Sequence, residues 1–311
     1  MQVKNIDVCL NEFIYIKKLW GLTDKSIADY ESFISMFTKW LPDKNIYALN
    51  NAVLLDYVDY HLKRKISKAT VATYIRHVKV FLSWLCEEYN LQLAVEKMPV
   101  PKTPKKNPRI YTNDEITSIF NVIYGDGRWI DVRNCAIVSL MLDSGLRQSE
   151  VSFIKSNDVN LNSKIINIFG KGQKERFVPI GNTTSLYMSY YQSICPYSSH
   201  EYFFVGKDGA QITSNTIKLF MSKASRKLPF EFSSHKLRHN FGTNFLVDMY
   251  EIKGCMDIYA LKSLMGHEQI KTTERYLHVA NQIIFSRSHT SHVDRISGIA
   301  APVLNQREAY H

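Results

Sequence analysis

The chain has 311 residues, 45% of them hydrophobic and 22% charged, a balance that fits a globular protein of up to two domains and excludes a disordered chain. A formal net charge of +10 and a pI near 9.2 point to an anionic partner, nucleic acid first among them. The five cysteines, Cys9, Cys86, Cys135, Cys195 and Cys255, form no CxxC pair and no Cys/His metal spacing, which argues against a disulfide frame or a zinc site.

From the N-terminus, Met1-Gln2-Val3-Lys4-Asn5-Ile6-Asp7 has no basic segment followed by an apolar run, and no apolar run reaches membrane-spanning length, so a cytoplasmic protein without membrane contact is expected. Apolar residues at helical spacing predict helices over 10–20, 24–41, 51–61 and 67–89, with Gly21 and Pro42 punctuating their ends. In the last of these Val71, Ile75, Val78, Leu82 and Leu85 make one apolar stripe, while Lys68, Thr73, Arg76 and Lys79 project elsewhere. Between Tyr60 and Cys86 stand six basic residues (Lys63, Arg64, Lys65, Lys68, Arg76 and Lys79) and no acid. A merely solvated face usually mixes its signs. A one-signed helix carrying Thr and Arg suits contact with phosphates or entry into a major groove.

Four of the nine prolines, Pro99, Pro101, Pro104 and Pro108, alternate with Lys97, Lys102, Lys105, Lys106 and Arg109. Proline blocks helix continuation and stiffens an extended chain, so 99–109 reads as a linker between a first domain, 1–98, and a second, 110–311. Lys102, Lys105 and Lys106 join the candidate DNA contacts. Thr112-Asn113-Asp114-Glu115 fits a capping box that opens the next helix. A helix is then predicted over 129–143 with Gly145 as its stop, followed by strands over 164–169 and 175–180 around a Gly-Lys-Gly-Gln hairpin turn. Further helices are predicted over 215–226, 236–249, 257–265 and 272–284. The expected fold is mainly α, an all-helical first domain and an α-rich second domain holding a small antiparallel sheet.

Cleaving a phosphodiester without a metal requires positive charge on the nonbridging oxygens, an acid for the leaving alkoxide and a base for the nucleophile. Arg147 and Arg238 suit the first task, because a guanidinium binds phosphate oxygens in a planar fork and stays charged. Lys171, in a glycine-flanked turn, could reach over a substrate as the acid if neighbouring cations lower its pKa. His235 lies three residues before Arg238 and shares its face on a helix beginning near Ser234. His267 follows Gly266, and Tyr276 follows nine residues later. Taken singly, each has a plainer reading: a surface ion pair, a turn lysine, a structural histidine, one packing tyrosine among 18. Their order and spacing distinguish them.

That order resembles the tyrosine recombinases, the phage integrase family, over nearly the full length. Gly145-Leu146-Arg147-Gln148-Ser149-Glu150 is similar to the family's first-arginine motif, and Gly170-Lys171-Gly172-Gln173-Lys174-Glu175-Arg176 to its lysine hairpin. His235-Lys236-Leu237-Arg238-His239 matches the His-x-x-Arg box, and Met265-Gly266-His267 with Thr273-Glu274-Arg275-Tyr276 the nucleophile segment. Met265 and Gln148 stand where other residues are common; neither removes a catalytic group. The resemblance implies the DNA breaking-rejoining enzyme fold, with 1–98 as a core-binding domain and 110–311 as the catalytic domain. It implies that Tyr276 attacks the phosphate to give a 3′-phosphotyrosine link, that Lys171 protonates the departing 5′ oxygen, and that Arg147 and Arg238 hold the phosphate. His235 would serve as acid/base at the tyrosine, His267 would assist the clamp, and Glu150 would orient Arg147.

No metal, cofactor or ATP is implied. The implied partner is double-stranded DNA with inverted core sites, bound by a homotetramer that is monomeric or dimeric when free and nucleoid-associated when bound. Beyond Tyr276, residues 282–286 could extend a helix, and the apolar stretch 293–299 could dock on a neighbouring subunit. The early start of the first helix leaves little room for a separate arm-binding module. Integrase, Xer enzyme and transposon resolvase share all these residues. A type IB topoisomerase-like relaxing enzyme and a non-catalytic DNA-binding accessory protein are the competing classes.

Overall fold

The computed structural model describes residues 3–103, 109–170, 175–197 and 199–288. The chain forms two compact units, Met1–Lys106 and Asn107–His311, so the division falls inside the Pro/Lys-rich stretch, of which 104–108 lie outside the described residues.

In the first unit, α1 (Ile6–Leu19), α2 (Asp24–Trp40), α3 (Asn51–Leu62) and α4 (Lys68–Tyr89) are opened by the side chains of Asn5, Thr23, Asn50 and Ser67, each accepting a backbone N–H left orphaned in the first turn. Helix α1 begins four residues before its apolar periodicity suggests. The Asn5 cap and the burial of Ile6 and Cys9 explain the difference. All five residues of the α4 stripe are buried, against a core that includes Phe13, Phe37, Tyr57 and Phe81. Val95 and Met98 are buried in the same core, so the chain just beyond α4 packs with this unit.

In the second unit, α5 (Asn113–Tyr124) opens with a complete Thr112–Glu115 capping box. The central helix is α6 (Trp129–Ser144), buried on nearly every face and packed by α5, α8 (Asn182–Ile194) and α10 (Ser234–Lys253). Between α6 and α8 come the short helix α7 (Gln148–Ser152) and the antiparallel sheet β1 (Val159–Asn160), β2 (Ile165–Phe169) and β3 (Glu175–Pro179), in that order, with Asn167 opposite Phe177. Helix α9 (Ser214–Ser225) precedes α10, and α11 (Ile258–Met265) and α12 (Lys271–Ser288) close the described chain. A second cluster of this unit joins Phe241 and Leu246 of α10, Leu261 and Met265 of α11, and Tyr276, Ala280 and Ile284 of α12.

The fold is mainly helical with one small antiparallel sheet, as expected. Helices α7 and α8 and strand β1 are additions to the predicted elements. Helix α8 buries only Thr184, Met188 and Tyr191 in a segment rich in Ser, Thr and Tyr, so its apolar periodicity is nearly silent. Helix α7 and β1 are too short to carry a period. Among the described residues no helix is long and apolar enough to cross a membrane.

Candidate active site

Five segments of the second unit bring the site together. Gly145 ends α6 with a left-handed backbone (φ +62°), and a Cβ there would overlap the Phe241 ring of α10. The turn this permits delivers Arg147 to the start of α7. Glu150, one turn on, accepts the Arg147 backbone N–H at 2.7 Å through Oε2 and the guanidinium Nη1 at 3.0 Å through Oε1. Arg176 of β3 pairs with the same carboxylate, Nη2 to Oε2 at 3.0 Å. Burial raises the Glu150 pKa, but the two guanidiniums and the Arg147 N–H outweigh it and hold the carboxyl below the usual range.

The arginines converge on the C-terminal carbonyls of α11. Arg176 Nε donates to Leu264 O at 2.9 Å, Arg238 Nη2 to Met265 O at 2.8 Å, and Arg147 Nη2 to Gly266 O at 3.1 Å, with a longer 3.4 Å bond from Arg147 Nη1 to Met265 O. These carbonyls have no partner within the helix and carry the negative end of its dipole, which favours cations. Arg238 is buried on α10 and also donates to Gly145 O. Its pKa is pushed down to about 10, by burial first and then by the charge of Arg147. It stays protonated at neutral pH.

His267 follows Gly266, whose left-handed backbone (φ +63°) ends α11. Arg238 Nη2 lies 2.8 Å from its Nε2 and Thr273 Oγ1 2.9 Å from its Nδ1. A guanidinium can only donate, so Nε2 accepts and the ring proton sits on Nδ1, facing Thr273. Burial and then Arg238 and Arg147 lower the His267 pKa to about 4, so the ring is neutral at pH 7.

Tyr276 lies one turn beyond Thr273 on α12 and is 2% exposed. Its ring is parallel to that of His267, centroids 6.3 Å apart, and 5.4 Å from that of His239. Burial raises the phenol pKa; Arg238, Arg275 and Arg147 pull it back. The Gly242 face of α10 presses on the ring, and a Cβ at that position would sit 2.9 Å from Cε1. On the expectation that Tyr276 forms the covalent link, Gly242→Ala should displace its ring and slow that step on the order of 10²-fold, the cost of a small misplacement of a reacting group. Adduct formation rates measured beside thermal melts test this. A normal rate in a normally folded variant would show that the ring has slack.

Of the residues predicted for the site, Arg147, Glu150, Arg238, His267 and Tyr276 are brought together. His235 is not in ring contact with Tyr276. It is exposed on the first turn of α10, and its ring packs edge-on against His239 at 4.4 Å. The second histidine ring beside Tyr276 is His239, buried and neutral, its pKa lowered to about 3 by burial and by His235 and the arginines. Lys171 lies outside the described residues. Arg176, His239, Thr273 and Gly242 are the residues that sequence reasoning missed. The first three stood within the quoted motifs, but spacing does not say which ring, guanidinium or hydroxyl turns inward.

In the first unit, Lys65, Lys68 and Arg76 are exposed. Lys63 pairs with Asp59 at 2.5 Å, and Arg64 contacts His61 Nδ1 at 3.3 Å. Thr73 bonds back to Ala69 O at 3.0 Å. Lys79 donates to Glu96 O and Met98 O at 3.1 and 3.0 Å, which gives it a tethering role within the unit. Lys102 is exposed, and Lys105 and Lys106 lie outside the described residues. Among the described residues no cluster of three or more His, Cys, Asp or Glu is placed to hold a metal ion.

The model of the phage integrase family matches residues 109–282. A tyrosine recombinase XerC from Staphylococcus carnosus (strain TM300) is 26% identical over 279 residues, covering 87% of this chain and 92% of the relative. Among solved structures, a lambda integrase dimer bound to a COC′ core site superposes with a TM-score of 0.71 at 16% identity, covering 98% of this chain and 81% of the integrase. The Tn1549 transposon integrase in complex with a circular intermediate DNA gives 0.69 at 14% identity, covering 90% and 99%.

Proposed function

The chain belongs to the phage integrase family and is a tyrosine recombinase, and from that premise we propose that Tyr276 is its nucleophile and DNA its covalent substrate. In this reading the Tyr276 oxygen bonds to the scissile phosphorus, the bond from phosphorus to the 5′ oxygen breaks, and a 3′-phosphotyrosine forms. Lys171 gives the 5′ oxygen its proton, and His235 takes the phenolic proton, a step that requires its ring, exposed and packed on His239 here, to turn towards the phenol. The observation that carries the reading is the sharing of Met265 O by Arg147 and Arg238, two cations from different segments, beside a buried tyrosine packed against two neutral histidines. Donors not bound to those carbonyls are left for a phosphate, whose charge builds up on attack. The cations also pull the phenol towards its anion, against the cost of burial. His267 supports the clamp through Arg238, since its Nε2 already accepts from that guanidinium.

The covalent link conserves the phosphodiester energy, so the 5′-hydroxyl of a partner strand can rejoin it without ATP. Strand exchange of this kind requires several active sites on one DNA assembly, and a homotetramer on paired inverted core sites meets that requirement. The first unit and the basic stretch at 102–106 contribute DNA contacts in the same reading, through Lys65, Lys68 and Arg76 above all. Its place of action is the cytoplasm, at the nucleoid.

A supercoiled plasmid bearing two copies of the recombination site provides the test. Recombinant circles are expected; relaxed plasmid with no recombinant product would replace recombination by a topoisomerase-like activity. DNA affinity is expected to fall with a log–log slope of about −0.9 per phosphate neutralised, so that six such contacts cost roughly 10³-fold between 50 and 200 mM salt. Titration at several salt concentrations reads this slope, and a flat plot would remove the lysines and arginines from the interface.

A further inference from the structure

We propose that Arg176 is a positioning residue for the phosphate clamp, acting through Glu150 on Arg147. The inference rests on the recombinase reading above and extends it to a residue of β3. The Arg176 side chain is 11% exposed, too enclosed to serve as an ordinary surface contact. Its guanidinium spans two elements, with Nη2 on Glu150 Oε2 at 3.0 Å and Nε on Leu264 O at 2.9 Å. Arg147 is attached to the same two bodies, to Glu150 by its backbone and side chain and to the end of α11 by its guanidinium. Arg176 therefore ties together the two anchors that set the plane of Arg147.

Space at this junction is reserved for it. A Cβ on Gly266 would lie 3.0 Å from Arg176 Nη1 and 3.1 Å from Cζ, so a side chain there would press on the guanidinium. Glu150 accepts from Arg147 Nη1 on Oε1 and from the Arg147 N–H on Oε2, and Arg176 Nη2 stands in ion-pair contact with Oε2. Without Arg176, a buried carboxylate faces a single guanidinium that is 43% exposed. That guanidinium is then free to turn towards the carboxylate and away from a phosphate. Leu264 O at the end of α11 loses its guanidinium donor in the same change.

Because β3 follows Lys171 in the chain, Arg176 could instead act on the leaving group, and substrate chemistry separates the two routes. A methylphosphonate at the scissile position removes the nonbridging negative charge, and with it the need for an ordered arginine clamp. A 5′-bridging phosphorothiolate makes a leaving group that needs no proton, and with it removes the need for the lysine. The experiment uses the full chain on a nicked duplex bearing its recombination site, with adduct formation and DNA affinity measured on all three substrates.

Arg176→Leu is expected to slow adduct formation on the ordinary phosphate roughly 10–100-fold at unchanged affinity, the usual cost of losing a partner that orients a reacting group. The methylphosphonate should return its rate close to that of the unaltered chain, and the phosphorothiolate should not. Arg176→Lys keeps charge against Glu150 and should lose less; it carries the same comparison with a smaller perturbation of the fold. Rescue by the phosphorothiolate alone, or an equal loss on all three substrates, overturns the proposal. Absence of any adduct from the unaltered chain overturns the recombinase reading itself, and this inference with it.

Discussion

Tyr276→Phe is expected to abolish the covalent protein–DNA adduct, a loss on the order of 10⁴–10⁶-fold, while leaving DNA binding nearly intact. Phenylalanine keeps the ring that packs against Gly242, His239 and His267 and removes only the oxygen. The ring is 2% exposed and belongs to the apolar cluster of α10, α11 and α12, so the shape-conserving change should fold normally. Denaturing gels of protein trapped on a nicked duplex, beside gel shifts of the same mixture, separate chemistry from binding. An adduct at the normal level from the variant would assign the nucleophile to another residue.

The second large effect is expected at Glu150. Glu150→Gln keeps the side-chain shape but leaves Arg147 and Arg176 without their counter-charge. Glu150 is 7% exposed and Arg176 11%, so little solvent is available to replace the lost carboxylate. Breaking a buried pair by removing one partner costs about 3–5 kcal/mol, and the 43% exposure of Arg147 puts this case near about 3. Urea titration at neutral pH measures it.

The pH dependence has a definite sign. The Glu150 pKa is lower in the folded chain than in the unfolded one, so its contribution is complete above the unfolded value, near about 4.3. It is lost as pH falls through the folded value. The stability difference between the unaltered chain and Glu150→Gln should therefore shrink in acid and be constant through neutrality. A difference that grew on acidification would mean that the carboxyl is protonated in the native state.

Much of the second unit's helix pattern was legible because its signals are local. Thr112 and Glu115 form the capping box that their spacing announces, Gly145 and Gly266 end helices where left-handed backbone is needed, and α10 begins at Ser234, two residues before its predicted start at Lys236 and early enough for His235 and Arg238 to share a face. Helix α8 was not legible, because its buried positions are Thr184, Met188 and Tyr191, and two of the three carry hydroxyls. The pairing of His239 with Tyr276 was not legible either. His235 and His239 are one helical turn apart on the same face, and only the packing of α12 on α10 decides which ring meets the phenol.

The sequence by itself determined the chemical inventory of this protein: two arginines, a carboxylate, histidines and a tyrosine in a fixed order, set among helices whose periodicity and caps are written in neighbouring residues. Only the tertiary structure decided how that inventory is held. Arg147, Arg176 and Arg238 come from a turn, a strand and a helix, and they meet at the carbonyls of Leu264, Met265 and Gly266. Every residue carries the same carbonyl, so no side-chain pattern can mark these three. What singles them out is their place at the end of a helix, where they lack intrahelical partners and bear its negative dipole, and the folding that brings three cations to that one end.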